Sequence, residues 1–205
     1  MTDPAVTIDE ARTAARLALL ALLEGNRRFA EGSMAPRTMG EAERAALLEG
    51  QEPIAVLLGC VDSRVPPEVV LDQGVGDLLT VRTAGQSLAG VALGSIEFGV
   101  RVLGIPLVVV MGHTGCGAVL AALTDDHADG HLGELTGEVA DRLAQVVGED
   151  PVRATGANLA ATVDVLRSLG TLVTPAGHHA FVVGALYDMA TGRLEVSDDA
   201  GLLEA

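Results

Sequence analysis

Two short segments hold the residue types that do chemistry. The first is Gly59-Cys60-Val61-Asp62-Ser63-Arg64, and the second is Gly112-His113-Thr114-Gly115-Cys116-Gly117. Cys60 and Cys116 are the chain's two cysteines. Without a secretion signal a disulfide is the weaker reading for them, and a metal or catalytic role the stronger. His113 and Cys116 stand three apart in a glycine-bearing turn that can aim both side chains at one ion. With Cys60 they make a Cys₂His set and leave one tetrahedral position open. That is the pattern of a catalytic zinc site; structural sites use four protein ligands. Two thiolates and a neutral imidazole balance Zn²⁺ to a formal zero, so a bound water is acidified less than on three neutral histidines. Asp62 and Arg64 answer that need. Alternation along the chain puts Cys60, Asp62 and Arg64 on one side. Arg64 keeps Asp62 ionised, and Asp62 accepts a hydrogen bond from the hydroxide on the metal and aims it. An Asp62 that reached the metal as fourth ligand would close the site and switch it off.

Each feature has an ordinary reading on its own. Cys60 after an apolar strand is a core thiol, His113 a loop histidine, and the glycine-rich turn a phosphate loop. The joint pattern, with metal-type ligands at two strand ends and no third cysteine, favours the metal. His178 and His179 precede the last strand and read as surface or structural residues. His127 and His131 lie among acidic residues and read as solvent-facing, with proton relay as a minor role because imidazole titrates near neutrality.

The elements around these segments follow from hydrophobic period. Residues 9–31 predict an amphipathic helix with Leu19, Leu22, Leu23 and Phe29 on its apolar face, and a short helix follows over 40–50. Residues 54–58, 106–111 and 180–186 are apolar runs of strand length, and 78–81 reads as a further short strand. Continuous rather than alternating hydrophobicity marks strands covered on both faces. Helical spacing recurs over 87–104, a helix begins within 115–123, and another covers 151–169 with Asp150 as cap and Pro151 at its first position. The acidic stretch 124–137 reads as a surface loop or a loose helix start, and residues 187–194 as a turn into a final edge strand. Strands alternating with helices predict an α/β fold: a mainly parallel central sheet flanked by helices, a helical arm over 1–50 and a core over 51–205, as one domain. Functional groups in such sheets gather beyond the carboxyl ends of the strands.

A formal net charge of −15 carries no basic patch, which argues against nucleic acid and anionic membrane surfaces as partners and leaves a neutral substrate indifferent. No apolar run reaches bilayer-spanning length. The run 17–23 follows an acidic start and leads into Glu24-Gly25-Asn26, so it reads as a helix face rather than a signal peptide, and the cytoplasm is the expected compartment.

The sequence resembles the β-class carbonic anhydrases. The likeness rests on Glu24-Gly25-Asn26-x-Arg28-Phe29, Cys60-x-Asp62-Ser63-Arg64, Ser95-Ile96-Glu97-Phe98, His113-x-x-Cys116-Gly117 and Gly184-x-x-Tyr187-Asp188-x-x-Thr191-Gly192. The resemblance implies reversible hydration of carbon dioxide to bicarbonate and a proton, with one Zn²⁺ per chain on Cys60, His113 and Cys116 and with Asp62 and Arg64 as the catalytic pair. It implies that Gln51, nine residues before Cys60, hydrogen-bonds the substrate and that Leu79 and Phe98 line its pocket. It further implies a dimer or higher oligomer with pockets at the dimer interface, so that the lining residues come from the partner chain. Three departures stand out: Arg82-Thr83-Ala84 where the family usually reads Arg-Asn-Ala, Phe98 where relatives often have tyrosine, and no tryptophan, which the noncatalytic bicarbonate site of some family members uses. Two alternatives keep the same ligands. One is hydrolysis of carbon disulfide or carbonyl sulfide, and the other is a noncatalytic zinc module closed by Asp62.

Overall fold

The structure is a computed structural model that describes residues 6–36, 40–124, 129–143 and 150–203, so His127 lies outside the described residues. In chain order the elements are α1 (Ile8–Ala30), α2 (Glu41–Ala46), β1 (Ala55–Cys60), α3 (Pro67–Val70), β2 (Leu78–Thr83) and α4 (Gly90–Arg101). They continue with β3 (Leu107–His113), α5 (Gly117–Ala122), α6 (Gly130–Leu143), α7 (Pro151–Ser168), β4 (Phe181–Asp188) and β5 (Arg193–Asp198). The strands form a sheet in the order β2-β1-β3-β4-β5. The first four run parallel, and β5 lies antiparallel to β4 as the edge strand that was expected.

β1 and β3 are buried along their whole length. Alternate residues feed two different cores. Leu57, Val109 and Met111 pack with Leu19 and Leu22 of α1, Val119 of α5 and Val139 of α6. Val56, Leu58, Val108 and Val110 pack with Ile96 and Val100 of α4 and with Leu159, Val163 and Leu166 of α7. Helices on both faces explain why these strands read as unbroken apolar runs.

α1 starts with a capping box in which Thr7 Oγ1 accepts from the Glu10 N–H at 3.2 Å and the Glu10 carboxylate accepts from the Thr7 N–H at 2.8 Å. Its Gly25-Asn26 pair explains a motif that sequence alone left without a mechanism. A Cβ on Gly25 would stand 1.9 Å from the Leu71 carbonyl oxygen, so only glycine lets α1 meet the end of α3. Asn26 is buried and donates to the carbonyls of Val70 and Gly192, both at 2.9 Å, while its own oxygen accepts from the Leu194 N–H at 2.6 Å. These bonds tie α1 to α3 and to the β4–β5 turn.

The differences from the sequence reading are local. The acidic stretch gives way to α6 from Gly130, whose buried stripe of Thr136, Val139 and Leu143 falls at helical spacing. α4 starts at Gly90 because a 3₁₀ turn, Ala84–Gln86, precedes it with Gly85 and Gln86 both left-handed at φ 59° and 55°. α3 is a single turn, too short to show a period. Asp150 caps α7 as expected, its Oδ1 accepting from the Val152 N–H at 3.0 Å. Among the described residues, no helix is long and apolar enough to cross a membrane.

Candidate metal centre

Cys60 ends β1 and His113 ends β3, and these strands are neighbours running the same way, so both side chains arrive at one carboxyl edge. The chain then turns through Thr114 and Gly115. Gly115 takes φ 67°, a conformation that favours glycine, and this brings Cys116 back to the same point before α5 begins. Two bonds hold the turn: the Thr114 N–H donates to the Tyr187 carbonyl at 3.0 Å, and the Met189 N–H donates to Thr114 Oγ1 at 3.1 Å.

The result is a compact buried cluster. The ligand atoms of Cys60, His113 and Cys116 all lie within 4.8 Å of one another, and the two sulfurs are 3.9 Å apart. His113 Nδ1 faces the Thr114 carbonyl oxygen at 3.0 Å. A carbonyl can only accept, so Nδ1 carries the hydrogen and Nε2 presents its lone pair. That Nε2 is buried and has no hydrogen-bond partner. A buried unpartnered acceptor is costly unless something electropositive meets it, and here it faces two sulfurs. The donor set fits a soft or borderline divalent ion such as Zn²⁺.

The electrostatics point the same way. A hydrogen bond from Cys116 lowers the Cys60 pKa, and the same bond raises that of Cys116, reinforced by burial. The sulfur pair therefore takes up one negative charge readily and resists the second. A divalent cation at the cluster would remove that resistance. Burial alone would lower the His113 pKa, but the Cys60 sulfur, the Thr114 carbonyl and the Asp62 charge together outweigh it and the net shift is upward. Although Nε2 makes no hydrogen bond of ordinary geometry, the sulfur's charge is close enough to favour a positive partner there.

Asp62 and Arg64 come together beside this cluster, though not by strand alternation. The chain leaves β1 at Cys60, and a tight turn follows in which Asp62 Oδ1 accepts from both the backbone N–H and Nε of Arg64 at 2.9 Å, while Oδ2 accepts from Nη2 at 2.6 Å. The fork holds the Asp62 carboxyl well below the usual carboxylate range. Arg64 also donates to the Gly115 carbonyl at 3.3 Å, bridging the two segments. Asp62 is outside the compact ligand set, with both oxygens engaged by Arg64.

The other expected site residues are not gathered here. Gln51 is exposed and precedes β1, so the whole strand, roughly 17 Å at the ordinary rise of a parallel strand, separates it from Cys60. Leu79 pairs with Val56 towards the start of β2, and Phe98 is 47% exposed on α4. The imidazole of His131 pairs with Glu134, and that of His178 reaches the Val6 carbonyl; neither residue, nor the exposed His179, joins the cluster. Sequence reading missed Arg82, which donates to the carbonyls of Cys60 at 2.8 Å and Asp62 at 2.7 Å and so fixes the path of the ligand loop. Its signal was an arginine four residues after Leu78 in a half-buried strand, which reads as surface charge until the pairing is known.

A family model described as carbonic anhydrase matches residues 55–194. Carbonic anhydrase 2 of Mycobacterium tuberculosis is 39% identical over 191 residues, covering 88% of this chain and 92% of the relative. The carbonic anhydrase of Mycolicibacterium smegmatis is 37% identical over 190 residues with the same coverage of each chain. Among solved structures, one of the tetrameric β-carbonic anhydrases from Sordaria macrospora is similar with a TM-score of 0.66 and 26% identity, over 75% of this chain and 85% of that one. The two segments that supply the cluster both fall inside the matched region, and the chain belongs to the β-class carbonic anhydrase family.

Proposed function

We propose that this chain catalyses the reversible hydration of carbon dioxide at one zinc ion held by Cys60, His113 and Cys116. The observation that carries the reading is the buried, unpartnered His113 Nε2 facing two sulfurs 3.9 Å apart. A zinc ion there would supply Lewis acidity and make a nucleophile from coordinated water near neutral pH. Because two thiolates would cancel the ion's charge, orientation by the protein gains weight. Asp62, kept ionised by the Arg64 fork, accepts a hydrogen bond from the attacking O–H and directs its lone pair at carbon. Arg64 engages both carboxylate oxygens of Asp62, which would keep that side chain from serving as a fourth ligand. The Arg82 bonds to the Cys60 and Asp62 carbonyls keep ligand and orienting group in fixed relation.

Gln51, Leu79 and Phe98 enter this reading as residues of a second copy. Gln51 would orient a substrate oxygen, and the other two would wall a small apolar pocket. The solved relatives described as tetrameric support self-association. We place the enzyme in the cytoplasm and read residues 1–205 as one domain. Stopped-flow carbon dioxide hydration, with metal analysis on the same sample, tests the proposal. Zinc near one per chain with no hydration would overturn it; turnover of carbon disulfide or carbonyl sulfide in the parallel assay would redirect it to that substrate class.

A further inference from the structure

The Ala84–Gln86 turn touches all three elements that carry the cluster. Thr83, just before it, is the β-sheet partner of Cys60, and its carbonyl accepts from the Val61 N–H at 3.3 Å. Gln86 donates from Nε2 to the Met111 carbonyl on β3, two residues before His113, at 3.1 Å. Gly85 packs so closely on α5, which follows Cys116, that an added Cβ would stand 3.1 Å from the Ala118 Cβ. The turn is also strained, with consecutive left-handed residues of which one, Gln86, is not glycine. Something must hold it.

What holds it comes from α6 and α7. Asn158 of α7 donates to the Gly85 carbonyl at 2.9 Å and to Gln86 Oε1 at 3.3 Å. Arg142 of α6 donates to the Gln86 carbonyl at 3.4 Å and to Asn158 Oδ1 and Thr162 Oγ1, both at 3.1 Å. Its guanidinium also pairs with Glu138, whose carboxylate in turn accepts from the Leu88 N–H at 2.7 Å and from the Ser87 hydroxyl. The Arg142 side chain is only 8% exposed, against 34% for Glu138, so the guanidinium is the buried member of the pair and its donors are directed at named acceptors. The Arg82-Thr83-Ala84 departure noted in the sequence thus sits in a loop whose bonds are supplied from α6 and α7.

We propose that Arg142, together with Glu138 and Asn158, is a positioning residue for the metal ligands, acting through the left-handed Gly85-Gln86 turn. The inference rests on the zinc reading above. It assigns Arg142 no contact with substrate or metal. Outer groups that orient ligands change affinity and electronic structure at a metal, not only fold stability. Arginine suits this position because its rigid planar fork spreads five donors over separated acceptors, whereas lysine offers three from a single nitrogen.

The test uses the full chain loaded with Co²⁺, whose visible and near-ultraviolet thiolate bands report ligand geometry, and a chelator competition that measures Zn²⁺ affinity. Arg142→Met should weaken zinc binding about tenfold and shift the cobalt bands, and Arg142→Lys should recover part of both. Glu138→Gln, a milder change that keeps the side chain's shape, should move both readouts in the same direction by less. Unchanged cobalt bands and zinc affinity in a folded Arg142→Met or Glu138→Gln protein would overturn the inference, whatever the loss in melting temperature. A wild-type chain that takes up neither metal would overturn the metal reading itself; a wild-type chain that binds both, with variants that match it, would overturn this inference alone.

Discussion

Replacing Asn26 by alanine should destabilise the fold without touching the metal. Asn26 makes three hydrogen bonds from a buried side chain, to the Val70 and Gly192 carbonyls and from the Leu194 N–H. Each is worth about 1 kcal/mol net, and a buried donor left unpaired costs at the upper end of that scale. The three together give a loss of about 3 kcal/mol. For a chain of this size each kcal/mol moves Tm by about 2–4 °C, so the expected fall is about 6–12 °C. Thermal and urea unfolding should be run at one fixed protein concentration, because association with a second copy would add to apparent stability. Zinc content and cobalt bands of the variant should match wild type, since the contacts of Asn26 lie on α3 and the β4–β5 turn rather than on the ligand segments. A loss below about 1 kcal/mol would show that water replaces these bonds and would refute the reasoning. Loss of metal from a folded variant would refute it differently, by placing Asn26 in the site.

Three further outcomes follow from the site and its supports. Cys60→Ser should lose most bound zinc and hydration activity while keeping its circular dichroism, since a hydroxyl does not ionise where a thiol does; a variant that keeps zinc would contradict the ligand assignment. Removing zinc with a chelator should lower Tm, because the ion binds the folded cluster and not the unfolded chain, and equal melting with and without chelator would count against occupancy of the site. Burial by itself would raise the Glu138 pKa, but the Ser87 and Leu88 bonds and the Arg142 charge outweigh it and hold the group below its ordinary 4.5. Its contribution is therefore complete above about pH 4.5 and is lost as pH falls through the lower folded value. Glu138→Gln should flatten that part of the acid-unfolding curve, and a curve parallel to wild type below pH 4.5 would argue against the coupling.

Whether a feature was legible in the sequence depended on how locally it is encoded. β1 and β3 showed as unbroken apolar runs because burial on both faces is a property of each strand's own residues. Cys60 and His113 showed because each stands where such a run ends, and parallel strands deliver their ends to one edge; Cys116 showed because it follows three residues on in the same glycine-bearing turn. The Asp62–Arg64 pair was found by a wrong route. Alternation suggested it, but a turn closed by the Arg64 N–H on Asp62 Oδ1 makes it, and the separation of two residues suits both. Arg82, Arg142, Glu138 and Asn158 were not legible. Each works through bonds to backbone carbonyls or amides many positions away, such as Asn158 to Gly85 or Arg82 to Cys60, which no spacing rule links; the i,i+4 spacing of Glu138 and Arg142 reads only as an ordinary helix-surface pair.

Gln51 shows the same limit and turns it to use. The resemblance assigns it to the substrate, yet β1 puts it at the amino end of the strand that carries Cys60 at its carboxyl end. No rotamer spans roughly 17 Å of parallel strand. Under the proposed function, Gln51 can serve a metal centre only if a second chain brings its amino edge to the first chain's carboxyl edge. Hydration activity would then depend on association, because each chain would lend the other the group it cannot bring to its own zinc.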